Sequence, residues 1–383
     1  MTPMFGTPRL VGCPNPVDRQ RLIERLDGMF ERGRFTNNGP LVQEFEESVA
    51  DIIGVEHCIA TCNATVAMEL AARALDLKGE VIVPAFTFVA TAHALHWMGL
   101  SPIFADIDPH THNLDPQSIE RLVTPQTTGI VGVHLWGRSC DTDAIGDIAD
   151  RHGLRQIFDA AHAFGCSRGN RMIGGNGDCE IFSFHATKFV QSFEGGMIAT
   201  NDSELATRLR LMRNFGFAGI DQIVSPGTNA KMCEANAAMG LTSLEAMPIA
   251  LAVNRSNHLA YRQGLSAVEG VSLMEFDIGD KNNHQYVVVE IDQERYGATR
   301  DVLADHLQAH GVVARRYFTP PLHYVPPYSD RRAEAIPALP VAERISAQVL
   351  ALPTGAQMNA ADIAGVCRLI GDCSARACPA FLP

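Results

Sequence analysis

Lys188 is the residue whose setting most strongly suggests covalent chemistry. It follows the apolar run at residues 181–184, which predicts a buried strand that ends shortly before the lysine. Burying an ammonium without a partner is costly. Condensation with a cofactor aldehyde removes the isolated charge and makes the lysine catalytic. The alternative is an ordinary lysine on a surface loop, so the interpretation depends on neighbouring segments.

Asp159 supplies the first of these segments. It ends another predicted strand, at residues 155–159, and lies 29 residues before Lys188. A carboxylate in that place can keep a pyridinium nitrogen protonated, which makes the ring an electron sink. The alternative is a cap for the turn that follows. The pairing with Lys188 favours the cofactor role.

Two other segments are suited to holding a cofactor. Asn63 and Thr65 lie between a predicted strand and a helix, where backbone N–H groups and polar side chains suit a phosphate. Both residue types are also ordinary helix caps. Phe88 could stack on a flat ring, although an aromatic residue there could equally belong to the core.

The elements that must position these residues alternate along the chain from about residue 50 to 205. The predicted strands are 57–61, 81–84, 102–106, 128–134, 155–159, 181–184 and 197–200. The helical segments between them include 65–75, 87–98, 142–151 and 203–214. This alternation predicts an α/β domain with a mostly parallel central sheet. Ligands of such sheets bind beyond the carboxyl ends of the strands.

After about residue 245 the pattern changes. We expect a helix at 241–265, a strand at 285–291, a helix at 300–310, a Pro-rich passage at 319–327 and a last helix at 360–370. The sequence therefore predicts two domains. Residues 1–245 form a large cofactor-binding domain and residues 246–383 a smaller C-terminal α+β domain.

Composition excludes several other classes of protein. The net charge is −12 with no basic block, so nucleic acid is not expected as a partner. The Gly-x-Gly-x-x-Gly turn that a nicotinamide dehydrogenase would have after its first strand is missing. We expect no membrane span and no signal peptide at residues 1–12, and hence a cytoplasmic enzyme. The ten cysteines and fourteen histidines show no metal-binding spacing, so we expect free thiols and no metal site.

Together these segments resemble the DegT/DnrJ/EryC1/StrS family, which are sugar aminotransferases among the fold-type I pyridoxal-phosphate (PLP) enzymes. The resemblance extends from about residue 33 to 324. It includes the opening segment 33–40, with Phe45 and Glu46 after it, and Arg316-Tyr317 with the segment 321–323. Family members are dimers with shared active sites, so the resemblance implies a homodimer.

The resemblance also implies a role for each site residue. Lys188 bonds PLP and moves the proton, Asp159 pairs with the pyridine nitrogen, His162 lies beside the ring and Phe88 stacks on it. The positions similar to the family's phosphate ligands are Asn63, Ala64, Thr65 and Ser183, with Asn229 contributed by the partner chain. The candidate substrate-binding residues are Thr36, Asn38, His185, Lys231, Tyr317 and His323. Tyr317 and His323 have the alternative of packing the domain interface, and Lys231 stands where arginine is frequent.

The expected reaction moves an amino group from L-glutamate to a nucleotide-linked keto sugar. The resemblance favours dTDP-4-keto-6-deoxyglucose and a 4-amino product. A 3-keto sugar, a UDP or GDP carrier, a keto-cyclitol and a noncatalytic regulator on the same fold remain alternatives. Lys188 argues against the related dehydratases, in which histidine replaces this lysine. No cysteine motif supports a desulfurase or lyase.

Overall fold

The structure is a computed structural model that describes residues 3–329 and 338–374. Its strands are β1 (Arg9–Leu10), β2 (His57–Thr61), β3 (Glu80–Pro84), β4 (Ser101–Ala105), β5 (Thr127–Val133), β6 (Arg155–Asp159), β7 (Ser167–Arg168), β8 (Arg171–Met172), β9 (Cys179–Ser183), β10 (Gly196–Thr200), β11 (Phe217–Gly219), β12 (Gln222–Ile223), β13 (Val271–Leu273), β14 (Val287–Ile291), β15 (Val312–Val313) and β16 (Val349–Leu352). Its α-helices are α1 (Arg19–Arg32), α2 (Pro40–Ile53), α3 (Ala64–Ala74), α4 (Val89–Trp97), α5 (Pro116–Leu122), α6 (Thr142–His152), α7 (Ser203–Arg213), α8 (Glu234–Leu265), α9 (Gln293–Tyr296), α10 (Arg300–Ala309), α11 (Pro340–Gln348) and α12 (Ala360–Asp372).

A seven-stranded sheet forms the centre of the molecule, in the order β2-β10-β9-β6-β5-β3-β4. Strand β10 runs antiparallel to both of its neighbours, and the other pairs are parallel. The predicted α/β class and mostly parallel sheet are confirmed. All seven predicted strands are present, and their bounds differ from the prediction by at most two residues.

Both faces of this sheet are covered by helices. Parallel strands need crossover connections, and α3, α4 and α6 supply them between successive strands. Apolar side chains such as Val81, Val83 and Ile157 point into a large core on one face. Ile82 and Phe158, next to them along the strands, point into another core on the opposite face. Burial on both faces explains why these strands read as nearly continuous apolar runs.

The C-terminal part contains a smaller antiparallel sheet, β13-β14-β16. Helices α8, α10 and α12 share a core with it, built around Tyr261, Val289 and Leu303. The N-terminal strand β1 pairs in parallel with β15. Residues 9–10 therefore lie with the C-terminal part, which the division at residue 245 did not anticipate.

Helix α8 crosses the predicted domain boundary without interruption, from Glu234 to Leu265. The predicted helix began at 241, seven residues after the observed start of α8. Pro248 lies inside the helix, where it cannot donate a backbone hydrogen bond. We propose that α8 itself joins the two domains.

By length and composition alone, α8 could also cross a membrane. Its side chains at Ala237, Leu241, Tyr261 and Leu265 are buried in the fold, and polar residues such as Asn254 are buried beside them. The same helix contributes to two cores. These buried residues pack α8 against the rest of the fold, and 44% of its most apolar window is buried.

The cysteines take no part in disulfides within the described ranges. Six of the nine described are buried and three are half-buried. Cys378 lies outside the described residues. No group of three or more His, Cys, Asp or Glu side chains within residues 3–329 and 338–374 is arranged to hold a metal ion.

Candidate active site

A cavity of about 380 Å³ lies beyond the carboxyl ends of the central strands, between them and the C-terminal part. Ten of the residues predicted for the site line it: Asn63, Ala64, Thr65, Phe88, Asp159, His162, Ser183, His185, Lys188 and Tyr317. These residues come from loops that follow different strands and from helix starts. The sheet topology is therefore what brings them together, as expected for this fold class.

Lys188 lies five residues beyond the end of β9, in a short turn. Its side-chain Nζ is 3.5 Å from the Tyr286 hydroxyl. Burial lowers the pKa of Lys188 to about 8, and the nearby Asp159 carboxylate opposes this shift. At pH 7 roughly one lysine in ten is then a neutral amine, compared with about one in 3,000 at the ordinary pKa of 10.5. The amine is therefore suited to attack a carbonyl.

Asp159 ends β6 with both carboxylate oxygens occupied. Oδ2 accepts a hydrogen bond from the Thr91 hydroxyl at 2.8 Å, and Oδ1 accepts one from the Ala161 backbone N–H at 3.0 Å. Thr87 lies 3.3 Å from Thr91 between the hydroxyl oxygens. The carboxylate thus caps the following turn and faces the cavity, so both roles considered for it are compatible.

His162 is held in one orientation. Its ring stacks on Trp136 at 5.7 Å between centroids, and its Nδ1 accepts the Trp136 backbone N–H at 3.4 Å. Burial, together with the charge of Lys188, lowers the pKa of His162 well below its ordinary value. The ring is therefore neutral with its proton on Nε2. Trp136 adopts a left-handed backbone conformation, with φ of 59°, which is uncommon for a bulky residue.

The start of α3 provides an anion site. Asn63 is the N-cap, and its side-chain oxygen accepts the Val66 N–H at 2.9 Å. This oxygen is thus engaged in capping, although Asn63 was expected to bind a phosphate. In the described part of the chain, the backbone N–H groups of Ala64 and Thr65 have no hydrogen-bond partner. Free N–H groups at a helix start are suited to a phosphate.

Gly196 lets strand β10 pass close beneath this loop. A Cβ atom on Gly196 would lie 2.5–2.6 Å from backbone atoms of Asn63 and Ala64. Ser183, the residue paired with Gly196 on β9, also lines the cavity. A residue without a Cβ is therefore required at position 196 for the loop at Asn63–Ala64 to lie this close to β10.

Phe88 and Tyr317 form an aromatic side of the cavity. Phe88 precedes α4 and keeps 55% of its surface exposed, with its ring 6.3 Å from the Phe318 ring between centroids. Tyr317 stacks on Phe318 at 5.0 Å, and the Arg315 guanidinium lies 5.3 Å from the Tyr317 ring centre. The stacking role of Phe88 stays a prediction.

His185 lies at the rim of the cavity. Its Nδ1 is 2.9 Å from the Thr187 hydroxyl, and its Nε2 is 3.6 Å from a Glu194 carboxylate oxygen. Its side chain remains exposed to solvent, which keeps it available to a substrate.

His323 lies outside the cavity. Its side chain is 1% exposed and its Nε2 is 3.2 Å from Glu343 Oε1. This location agrees with the packing alternative for His323 and gives no support to its expected contact with substrate.

Four predicted residues lie away from the Lys188 cavity of their own chain. Asn38 and Lys231 line a second cavity of about 180 Å³, together with Arg210 and Arg213. Thr36 and Asn229 are exposed on loops that do not line the first cavity. The expected contacts of these four residues with cofactor or substrate stay predictions.

Sequence reasoning missed several side chains that build the site. Thr91 bonds Asp159, Trp136 orients His162, and Tyr286 reaches Lys188. Thr91 lies on the first turn of α4, three residues after Phe88, and both residues line the cavity. Tyr286 carried no local signal, because it directly precedes the apolar strand β14, far along the chain from Lys188.

Fold and site define an α/β enzyme whose architecture matches that of solved PLP-type aminotransferases. The model of the DegT/DnrJ/EryC1/StrS aminotransferase family matches residues 16–371, and the chain belongs to this family. The predicted family, and with it the prediction of a sugar aminotransferase, are confirmed.

Three relatives illustrate the similarity. The crystal structure of DesI in the presence of its TDP-sugar product is 51% identical, with a TM-score of 0.94, and the match covers 98% of this chain and 95% of DesI. The dTDP-4-amino-4,6-dideoxy-D-glucose transaminase of Shigella dysenteriae is 38% identical, covering 92% of this chain and 95% of the relative. The GDP-perosamine synthase of Caulobacter vibrioides is 36% identical, covering 94% of each.

Proposed function

We propose that this aminotransferase uses PLP on Lys188 to move an amino group from L-glutamate to dTDP-4-keto-6-deoxyglucose, giving the 4-amino sugar. The observation that carries the proposal is the meeting of Lys188, Asp159 and the free N–H groups of Ala64 and Thr65 in one cavity. These are an amine, a carboxylate and an anion site, which are the three groups that PLP requires.

The residues present fit PLP. Lys188 would bond its aldehyde, Asp159 its pyridine nitrogen, and the start of α3 with Ser183 its phosphate. Phe88 and His162 would flank the ring. When bound, PLP supplies an electron sink for the carbon that gains or loses its proton. Because Asp159 already accepts two hydrogen bonds, it is oriented before the cofactor arrives.

Lys188 is the base that moves the proton. With a pKa of about 8, its Nζ can release and take up a proton near neutral pH. His162 stays neutral beside it, so it adds no second positive charge to the site.

The preference for a 4-keto-6-deoxy sugar rests on the relatives and on the cavity. The Shigella dysenteriae relative and DesI are named for a dTDP-linked or TDP-linked sugar. Tyr286, Tyr317 and Phe318 give the cavity an aromatic wall that suits the methyl group of a deoxy sugar. A 3-keto sugar is the second candidate, and the GDP-linked relative keeps the carrier open to test.

We further propose that the enzyme acts as a homodimer in the cytoplasm, with no nucleic acid or membrane partner. Phe217, Ile220, Ile223 and Val224, on and beside the β11–β12 hairpin, expose apolar surface; Ile220 is 95% exposed. Such a patch marks an interaction site. The exposed Asn229 follows this hairpin, so a second copy that covers the hairpin could receive Asn229 and Lys231 near its own cavity.

A product assay tests the reaction. The holoenzyme is incubated with L-glutamate and either dTDP-4-keto-6-deoxyglucose or its 3-keto isomer, and products are separated and identified by mass spectrometry and NMR. We expect a 4-amino sugar from the first substrate and at least tenfold slower turnover of the second. Equal or faster amination of the 3-keto isomer would overturn the assignment of position. No product with either sugar would overturn the substrate class.

A further inference from the structure

Tyr286 brings a hydroxyl from the C-terminal domain to the reactive lysine of the large domain. It directly precedes β14, and its side chain is buried in the wall of the cavity. The hydroxyl lies 3.5 Å from Lys188 Nζ. Among the described residues no other group hydrogen-bonds either atom. Since buried tyrosine hydroxyls normally find a partner, each group is the other's partner.

The direction of this hydroxyl is fixed by packing. The Tyr286 ring lies 4.3 Å from the His162 ring and 5.3 Å from Trp136 between centroids. Tyr317 contacts it from a third side, at 6.5 Å. A ring held on three sides cannot swing its hydroxyl away from Lys188 without repacking the cavity wall.

The neighbouring residues secure the same arrangement through the backbone. Gln285 donates its side-chain N–H to the Thr187 carbonyl at 2.7 Å, directly before Lys188. Asn283 donates to the His162 and Phe164 carbonyls at 2.9 and 3.1 Å. Asn283, Gln285 and Tyr286 thus contact the two loops that border the reactive amine, one containing Thr187 and Lys188 and the other residues 162–164.

A neutral hydroxyl can serve the lysine in both of its protonation states. It accepts a hydrogen bond from the ammonium, and it donates one to the lone pair of the amine. Burial raises the pKa of Tyr286, with Tyr317 and Asp159 adding to the effect, so the hydroxyl stays protonated. The other titratable groups that face Lys188 are Asp159 and His162, with His185, Glu194 and Tyr317 also lining the cavity.

We propose that Tyr286 is a positioning residue for Lys188, holding the free ε-amino group toward the cavity and stabilising its ammonium form. This role rests on the proposed function, because it matters at the stage when the lysine is released from the cofactor. It also makes the reactivity of the large-domain lysine depend on a residue of the other domain.

The test measures Lys188 in the cofactor-free protein. The chain has only four lysines, Lys78, Lys188, Lys231 and Lys281, so each can be followed by peptide mass spectrometry. Competitive labelling with 1-fluoro-2,4-dinitrobenzene between pH 6 and 11 gives the titration midpoint of each amine. We expect a wild-type midpoint near 8 for Lys188.

Tyr286→Phe is expected to lower that midpoint by about 0.5–1 pH unit, because the ammonium loses an acceptor while its burial remains. Tyr286→Leu is a second variant without the hydroxyl, in case the first does not fold. Tyr296→Phe is the matched control, since it removes another buried hydroxyl of the same domain, one that bonds the Ile370 carbonyl. It should leave the Lys188 midpoint unchanged.

An unchanged midpoint in a folded Tyr286→Phe or Tyr286→Leu protein would overturn the role of Tyr286. An equal shift of the Lys188 midpoint in Tyr296→Phe would also overturn this role, because the effect would then be one of general destabilisation. Failure of the wild-type protein to bind PLP would refute the proposed function, and the titration of the cofactor-free protein would still be readable.

Discussion

Gly196→Ala tests the phosphate site by moving its backbone. The added Cβ would lie 2.5–2.6 Å from the Asn63 carbonyl group and the Ala64 nitrogen, whereas ordinary contacts are 3.4–4 Å. One side must therefore move by about 1 Å. Strand β10 cannot yield easily, because Gly196 is paired with Thr61 on one side and Ser183 on the other. The loop at the start of α3 is expected to move.

The size of the effect follows from the hydrogen bonds that the loop offers. Displacing the N–H groups of Ala64 and Thr65 weakens one or two charge-assisted bonds to a phosphate, each contributing about 1.5–3 kcal/mol. Losing one corresponds to roughly 10- to 100-fold weaker PLP binding. Overpacking should also destabilise the cofactor-free protein by about 1–3 kcal/mol.

The assay is a PLP titration followed by fluorescence, with urea unfolding of the cofactor-free protein in parallel. Gly146→Ala is the control, because a Cβ there meets only the Gln156 side-chain oxygen, at 3.9 Å, in the middle of α6. It should bind PLP normally and gain about 0.5–1 kcal/mol in stability. A folded Gly196→Ala protein with wild-type affinity for PLP would refute this account of the phosphate site.

Three other predictions concern separate parts of the structure. Thr91→Val keeps the shape of the side chain but removes the donor to Asp159, so PLP binding should weaken about tenfold with little change in melting temperature; unchanged affinity would contradict the role of Thr91. Arg213→Met leaves the buried Glu46 carboxylate without its charged partner, and urea unfolding should show a loss of about 3–5 kcal/mol that Glu46→Gln in the same chain largely restores. Ile220→Asp places a charge in the exposed apolar patch, and light scattering after gel filtration should show dissociation of the dimer; a wild-type molar mass would place the dimer interface elsewhere.

The central sheet could be predicted well because local sequence determines its strands. Buried strands form mostly apolar runs, and the bounds of β2, whose last four residues are buried, were predicted without error. The reversed direction of β10 could not be predicted, since an antiparallel neighbour leaves no mark on a buried strand. The pairing of β1 with β15 joins residues about 300 positions apart, and two-residue strands have no periodicity.

The candidate site shows the same division between local and tertiary information. Asp159 ends β6, and His162 and Lys188 follow β6 and β9, where sequence position indicates the cavity. The contact of Tyr286 with Lys188 depends on how the C-terminal part packs against the central sheet, and no pattern in either segment predicts it. Asn63 is another such case, because only the structure shows that its side chain serves as the cap of α3.

The most direct test of the central claim is reductive trapping of PLP. The protein is loaded with PLP, reduced with sodium borohydride with or without prior L-glutamate, and digested for mass spectrometry. We predict the pyridoxyl group on Lys188 without glutamate, its loss when glutamate is added first, and noncovalent PLP in Lys188→Ala, which should have no turnover. A label on Lys78, Lys231 or Lys281, no label at all, or activity in Lys188→Ala would contradict the account.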